Sequence, residues 1–292
     1  MARQIYQAIA DGILVGGVYA LMAVGLTLIF GVLDIINIAQ GVLVVLSAYL
    51  SYSLSTRAHI DLFAGLLVTV PAMFAIGVAI YWAFIRRLRG TERTSMTLLV
   101  TYAVALIIEG VLYKIYGANN VQLSASYIAS SIHLPGFYLP WIYVYGFVLA
   151  VALVVVIYLL LYRSRFGRSV RATMQDETAA RLVGIDTNRV AALTFGIGVA
   201  VTATGGMFFG ATNAFNANSG YDLISRLLAI VVLAGLGSIG GALAASVFMI
   251  TLESVVTIWY PTWAIVVFYA ALVLVLLIRP NGFFGRQAVR AQ

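Results

Sequence analysis

Long apolar runs, separated by short polar or basic stretches, recur from one end of the chain to the other. A helix needs roughly 20 apolar residues to cross the hydrocarbon core. Nine runs are candidates: Gly12 to Phe30, Ile38 to Leu54, Leu62 to Phe84, Met96 to Tyr116, Trp141 to Tyr162, Val190 to Thr212, Leu223 to Leu236, Ala242 to Tyr260 and Trp263 to Ile278. Alternating apolar and polar positions, the mark of a membrane β-barrel strand, are missing. The pattern predicts an all-α polytopic membrane protein, with about 8–9 transmembrane or re-entrant helices and broken helices near the midplane. Leu223 to Leu236 is the shortest run and cannot cross upright at 1.5 Å per residue. It is the first candidate for a re-entrant segment, so the side of the N-terminus stays open.

Composition narrows the class. The chain of 292 residues is 63% hydrophobic and only 9% charged, against about 25% charged in soluble domains, and its mean hydropathy is +1.03. These values exclude a disordered chain, a basic nucleic-acid-binding domain and a single-anchor protein. The net charge of +7 then belongs to loops facing anionic lipid and cytoplasm. Arg86, Arg87, Arg89 and Arg93 share one loop. Arg163, Arg165, Arg168, Arg171, Arg181 and Arg189 share a second, and Arg279, Arg286 and Arg290 follow the last run. These regions hold 13 of the 17 basic residues, so all three are expected in the cytoplasm. The segments Gly117 to Pro140 and Asn213 to Asp222 carry no Lys or Arg and read as external loops. The first apolar run lacks a signal-peptide layout and is expected to be retained as a span. With no Cys and two His (His59, His133), thiolate, metal and haem chemistry are not expected.

Two places interrupt the apolar pattern. One is Phe30 to Gly41, where Asp34, Asn37 and Gln40 stand between short runs. The other is Gly235-Leu236-Gly237-Ser238-Ile239-Gly240-Gly241. Interrupted segments in both halves of a transporter point to a midplane site built from broken helices, whose free N–H groups can hold a carboxylate. A tight turn at the cytoplasmic face is the alternative for each. Inside the spans stand Glu109 and Glu253, each either paired, protonated or facing an aqueous path. The glycines of the first and sixth runs are explained by close helix packing.

The stretch Arg163 to Arg189 is the longest charged segment. Ser169 to Gly184 reads as a short amphipathic helix, with Gly184 at the C′ position, Ile185 as its hydrophobic contact, and Asp186 or Thr187 capping the next span. Such a helix below the membrane suits docking into a groove on another protein; a lipid-binding interfacial helix is the alternative.

Several motifs in order carry a family resemblance. They are Gly16-Gly17-Val18-Tyr19-Ala20-Leu21-Met22-Ala23-Val24-Gly25, Gly31 with Ile36-Asn37-Ile38-Ala39-Gln40-Gly41, Arg165-Phe166-Gly167-Arg168, and Glu177-Thr178-Ala179-Ala180 with Gly184-Ile185. Ala192-Leu193-Thr194-Phe195, Gly235-Leu236-Gly237-Ser238-Ile239 and Arg279-Pro280-Asn281-Gly282-Phe283-Phe284-Gly285 complete the set. Over nearly its whole length the chain resembles the branched-chain amino-acid ABC transporter permeases of the LivH type. The resemblance implies a single permease domain over residues 1–292, multi-pass in a bacterial inner membrane, with a cytoplasmic coupling loop at about 163–189. It implies four kinds of partner: a second homologous permease, two cytoplasmic ATPase subunits, an external or periplasmic solute-binding protein, and membrane lipid. Nucleic acid and cofactors are not among them.

Within that loop, Arg171, Asp176, Glu177, Ala179, Ala180, Arg181, Leu182, Gly184 and Ile185 are the expected ATPase-coupling residues. Asn37, Gln40, Gly41, Thr101, Glu109, Gly237, Ser238 and Glu253 are the candidate translocation path. The chain departs from the family's usual residues at Gln40 (usually His), Gly240 (usually Pro) and Glu109 (commonly Gln), which bears on substrate identity. The expected function is a permease subunit of an ATP-driven importer of branched-chain amino acids by alternating access. The chain lacks a Walker-type loop, so hydrolysis falls to its partners and no catalytic residue is assigned. An ion-coupled carrier using Glu109 and Glu253, or an importer for urea or another small amino acid or amide, are the alternatives.

Overall fold

The computed structural model describes residues 2–88, 93–125, 127–128, 130–134 and 137–285. Arg89, Arg286 and Arg290 lie outside the described residues. In chain order the elements are α1 (Ala2–Leu33), α2 (Gln40–Arg57), α3 (Leu62–Ala83), α4 (Arg93–Tyr116), the antiparallel hairpin β1 (Ser131–Leu134) and β2 (Phe137–Pro140), and α5 (Trp141–Arg163). Then come α6 (Arg165–Gln175), α7 (Glu177–Leu182), α8 (Thr187–Thr212), α9 (Gly220–Ala234), α10 (Ile239–Trp259) and α11 (Pro261–Ile278). Among the described residues, eight helices are long and apolar enough to cross a membrane: α1, α3, α4, α5, α8, α9 with the turn before it (Ala217–Ala234), α10 and α11. The protein is therefore the all-α polytopic membrane protein that the apolar pattern predicts. The hairpin, which the pattern missed, is a minor addition outside the helices.

Helix ends define two faces. Arg86, Arg87, Arg163, Arg165, Arg189 and Arg279 stand at the ends of α3, α5, α8 and α11, on one basic face. The hairpin lies opposite, and the Gln7 side chain of α1 bonds both the Tyr138 N–H and its carbonyl, each at 2.7 Å. The first turns of α1 are thereby held on the face away from the arginines. From there α1 descends antiparallel to α10: Gly12 packs on Thr251, Gly16 on Val247 and Gly31 on Gly237. With α2 added to the eight, nine of the described helices point alternately toward the two faces, and the short Leu223 to Leu236 run belongs to the apolar helical stretch Ala217–Ala234.

α8 is the axis of the bundle. It is buried along most of its length, packing against α1, α2 and α3, whereas α11, α5, α3 and α4 are mostly open to the surroundings. Apart from rings, Arg163 and Thr262 near the ends, the exposed positions of α3, α5 and α11 are apolar, as contact with acyl chains requires. On the opposite face the Tyr127 hydroxyl donates to Asp61 Oδ2 at 2.8 Å, tying the outer loop to the N-cap of α3. Burial and that carboxylate hold the Tyr127 phenol well above its ordinary pKa, so it stays a donor.

Glycine contacts give a direct test of the packing. A Cβ at Gly16 would meet the Val247 backbone at 2.6 Å, while one at Gly110 on α4 would meet nothing within 4 Å. Gly16→Ala is expected to lower the thermal midpoint of the detergent-solubilised protein. Gly110→Ala is expected to leave it unchanged or raise it, by about 1 kcal/mol at most. Equal effects would show that α1 and α10 do not approach this closely.

Candidate functional site

The first interruption lies in the interior. α1 ends at Leu33 and Asp34 takes a left-handed conformation (φ 54°), which Asp tolerates better than most residues. The chain then doubles back without helix until Gln40, and Asn37 and Gln40 are fully buried. Asn37 Nδ2 donates to Gln40 Oε1 at 2.9 Å, and Gln40 Nε2 donates to Thr202 Oγ1 of α8. The Ile38 N–H donates to Thr101 Oγ1 of α4 at 3.3 Å. Thr202 is ten residues short of the end of α8, or about 15 Å at 1.5 Å per residue, so α2 starts near mid-depth. There Gly41 packs directly against the Gly220 carbonyl and Ile224 at the start of α9. Two helices thus begin in contact at mid-depth and leave toward opposite faces. Because α9 starts below the outer surface, a helix of 15 residues suffices to reach the basic face.

The second interruption differs. Gly235 (φ 90°) and Gly237 (φ 85°) make a tight turn between α9 and α10 at the basic face. The segment after α11 caps it: the Phe283 and Phe284 N–H groups donate to the Leu233 and Ala234 carbonyls at 2.8 and 3.1 Å. Ser238 caps α10 through the Gly241 N–H at 3.2 Å. Gly237 and Ser238 therefore stand at a turn, away from mid-depth, because the glycines serve a reversal of direction.

The two acids inside the spans also part company. Glu109 Oε2 on α4 accepts from the Tyr221 hydroxyl of α9 at 2.6 Å. Beside it Tyr221, Asp222 and Ser225 are exposed, on the first turns of a membrane helix. Glu253 instead pairs with Arg226 at 2.5 Å between α10 and α9, with side chains 17% and 21% exposed, and the Arg226 guanidinium lies 5.6 Å from the Phe268 ring. Buried charge is thus neutralised by a partner 27 residues away in the chain. The candidate path residues fall in four places, three of them the buried knot of Asn37, Gln40, Gly41 and Thr101, the Glu109 face, and the basic-face turn. Glu253 lies in its own ion pair.

At the basic face the expected single helix is divided. Asp176 ends α6 and caps α7, its carboxylate accepting from the Thr178 and Ala179 N–H groups at 2.7 and 3.0 Å. α7 closes on Gly184 (φ 85°), with the Gly184 N–H on the Arg181 carbonyl and the Ile185 N–H on the Ala180 carbonyl, both at 3.0 Å. This is the two-bond helix ending anticipated from the sequence. Asp186 then caps α8 through the Arg189 N–H at 3.1 Å. Arg181 pairs with Glu177 at 2.6 Å, and both bond Thr187 Oγ1, at 2.9 and 3.2 Å. Ala180 is buried against the bundle, whereas Leu182 and Val183 are 85% and 75% exposed. Arg171 turns away from this surface: it donates to the Leu161 carbonyl and lies over the Tyr162 ring, closing the end of α5.

Sequence reasoning named Thr187 only as a candidate helix cap, and it missed Thr202, Tyr221, Asp222 and Arg226 as site residues. Arg226 had a readable signal, a lone cation inside an apolar run, and Asp222 stood at the edge of the same run. Thr202, and the bonding of Thr187 to Glu177 and Arg181, are legible only through the partners that folding brings together.

Residues 8–276 match the family described as the permease component of branched-chain amino acid transport systems. Among curated relatives, the high-affinity branched-chain amino acid transport system permease protein LivH of Salmonella typhimurium is 28% identical, over 97% of this chain and 96% of its own length. BraD of Pseudomonas aeruginosa, a permease protein of the same description, is 26% identical over the same shares. A probable LivH of Methanocaldococcus jannaschii is 24% identical over 94% of this chain and 90% of its own. No solved structure matches the chain.

The Arg226–Glu253 pair yields a stability test. Arg226→Ala strands a carboxylate between α9 and α10 and is expected to destabilise the solubilised protein by about 3 kcal/mol or more. Arg226→Met with Glu253→Leu removes both charges and is expected to recover most of that loss in a thermal unfolding assay. A double variant no better than the single one would mean that the pair is not mutually neutralising.

Proposed function

Because the chain belongs to the permease family of branched-chain amino acid transport systems, we propose that it is the membrane subunit of an ATP-driven importer of branched-chain, hydrophobic amino acids. It pairs with a second, homologous permease, receives solute from an external binding protein, and is driven by two ATPase subunits at the basic face. The positive-inside rule assigns that face to the cytoplasm. Bilayer lipid surrounds the apolar surfaces of α3, α5 and α11.

The observation that carries the ATP-driven mechanism is the surface of α7. Leu182 and Val183 protrude at the end of a capped, ion-paired helix outside the membrane spans. Two adjacent aliphatic side chains held rigidly in water suit a knob that a protein groove buries. Closure of the ATPases on ATP would move α7, and the spans would follow, opening the path first to one side and then to the other. Hydrolysis and the binding of ATP belong to the partners.

The solute path runs along the α4–α9 face. Glu109, Tyr221, Asp222 and Ser225 are polar groups at membrane depth on surfaces that acyl chains do not tolerate, so this face borders water and the second permease. The Asn37–Gln40–Thr202 knot lies behind it and holds the start of α2 in register.

Two measurements test these assignments. Replacing Leu182 and Val183 together by Asp is expected to abolish co-purification of the ATPase subunits and ATP-dependent uptake, while the thermal midpoint of the permease stays near wild type because both side chains are exposed. Retained co-purification would remove the assignment of α7. Since the chain has no Cys, single cysteines report exposure cleanly. In the assembled complex Ser225→Cys is expected to react with a water-soluble thiol reagent and Leu274→Cys on α11 to resist it. The reverse order would place the path elsewhere.

A further inference from the structure

The joint between α7 and α8 has more bonding than a surface loop needs. Thr187, the first residue of α8, is 3% exposed. Its hydroxyl accepts from Arg181 Nε at 2.9 Å and donates to Glu177 Oε1 at 3.2 Å, while Arg181 Nη2 closes the triangle on the same carboxylate oxygen at 2.6 Å. Val183 to Asp186, the link between the helices, is closed by the Gly184 and Ile185 bonds back into α7. A helix of six residues has little stability of its own. Held in this way, it moves with the start of α8.

Along α8 that movement has a polar outlet at the broken segment between α1 and α2. The helix is gripped by close backbone approaches, among them Gly198 on Ile29 of α1, Gly77 of α3 on Gly196, and Gly206 on Val44 and Ser47 of α2. Fifteen residues above Thr187, about 22 Å at 1.5 Å per residue, Thr202 Oγ1 receives Gln40. The Thr194 hydroxyl bonds a carbonyl of its own helix, and the polar contacts at the far end of α8, the Leu123 N–H on the Gly210 carbonyl and Gln122 Nε2 on the Ala211 carbonyl, lead to the outer loop after α4. The Thr202–Gln40 bond alone leads to the non-helical stretch between α1 and α2. That stretch is the least regular backbone of the bundle interior, and Gly41 beside it touches the start of α9, which carries Tyr221 and its contact to Glu109.

We infer that Thr187 is a positioning residue that locks α7 to α8, and that Thr202 with Gln40 passes the displacement of α8 to the broken α1–α2 segment at the solute path. The inference rests on the docking of ATPases to α7 proposed above and specifies its transmission. Shifting α8 by a fraction of a helical turn pulls on Gln40 and through it on Asn37 and the N-terminus of α2. The apolar neighbours of α8 can slide; the hydrogen bond cannot slide without breaking. Thr187 and Thr202 are thus the input and output of one rigid helix.

The experiment uses the complete complex, with its ATPases and binding protein, reconstituted in proteoliposomes. Thr187→Val keeps shape and burial but removes the hydroxyl; Thr187→Ser keeps the hydroxyl. Thr202→Val cuts the other end. In both Val variants, solute uptake per ATP hydrolysed is expected to fall about tenfold, as loss of a hydrogen bond to a charged or buried group allows. ATPase co-purification and thermal midpoint are expected to remain near wild type, and Thr187→Ser to restore the ratio. Wild-type uptake per ATP in Thr187→Val, with the ATPases still bound, overturns the inference and leaves the docking intact. Loss of ATPase binding in Thr187→Val also overturns it, since the hydroxyl would then only shape α7. Loss of co-purification in the Leu182 and Val183 variant remains the separate readout for docking itself.

Discussion

Inside hydrocarbon each peptide N–H and C=O must find a partner within the protein, and this constraint governs every membrane-embedded element of the fold. It explains why helices account for nearly all of the described membrane-embedded chain. It also dictates where helix may stop. The non-helical stretch between α1 and α2 survives at mid-depth only because α8, α4 and its own side chains surround it, with Thr101 taking the Ile38 N–H and Thr202 taking Gln40. The other interruption, at Gly235 to Ser238, obeys the same constraint differently: it moves to the basic face, and the residues after α11 donate to the carbonyls left free at the end of α9.

Packing follows from that arrangement. Lipid supplies no hydrophobic drive between helices, so association depends on contact area and on small residues that let backbones approach. α8 collects such residues, and α1, α2 and α3 close on them. A helix gripped on several sides is a poor element to deform and a good one to move as a unit. Its basic end is bonded to α7, and its middle is bonded to the mid-depth break between α1 and α2. Charge is placed with equal economy: arginines gather at one face, and Arg226, held inside, has Glu253 as its counter-ion.

Much of this was legible in the sequence where the physics is local. Apolar run length located the spans, Gly184 and Asp186 marked the joint after α7, and arginine placement marked the basic face. What stayed hidden depends on residues far apart in the chain. The apolar pattern could not separate a mid-depth break at Asn37 and Gln40 from a surface turn at Gly235 to Gly241, because both read as polar interruptions. Nor could it supply partners: Glu253 finds Arg226, Glu109 finds Tyr221, and Gln40 finds Thr202 only when the helices assemble. Asp176 divided a helix expected to be continuous because its carboxylate caps the next turn better than it extends the last.

In the proposed function, ATP acting through partners at the basic face drives solute past this subunit. The direct measurement is uptake of labelled leucine into proteoliposomes holding the assembled complex and its binding protein. The account predicts uptake with ATP inside the docking compartment and none with an imposed proton or sodium gradient alone. Uptake driven by either gradient in the absence of ATP would contradict it.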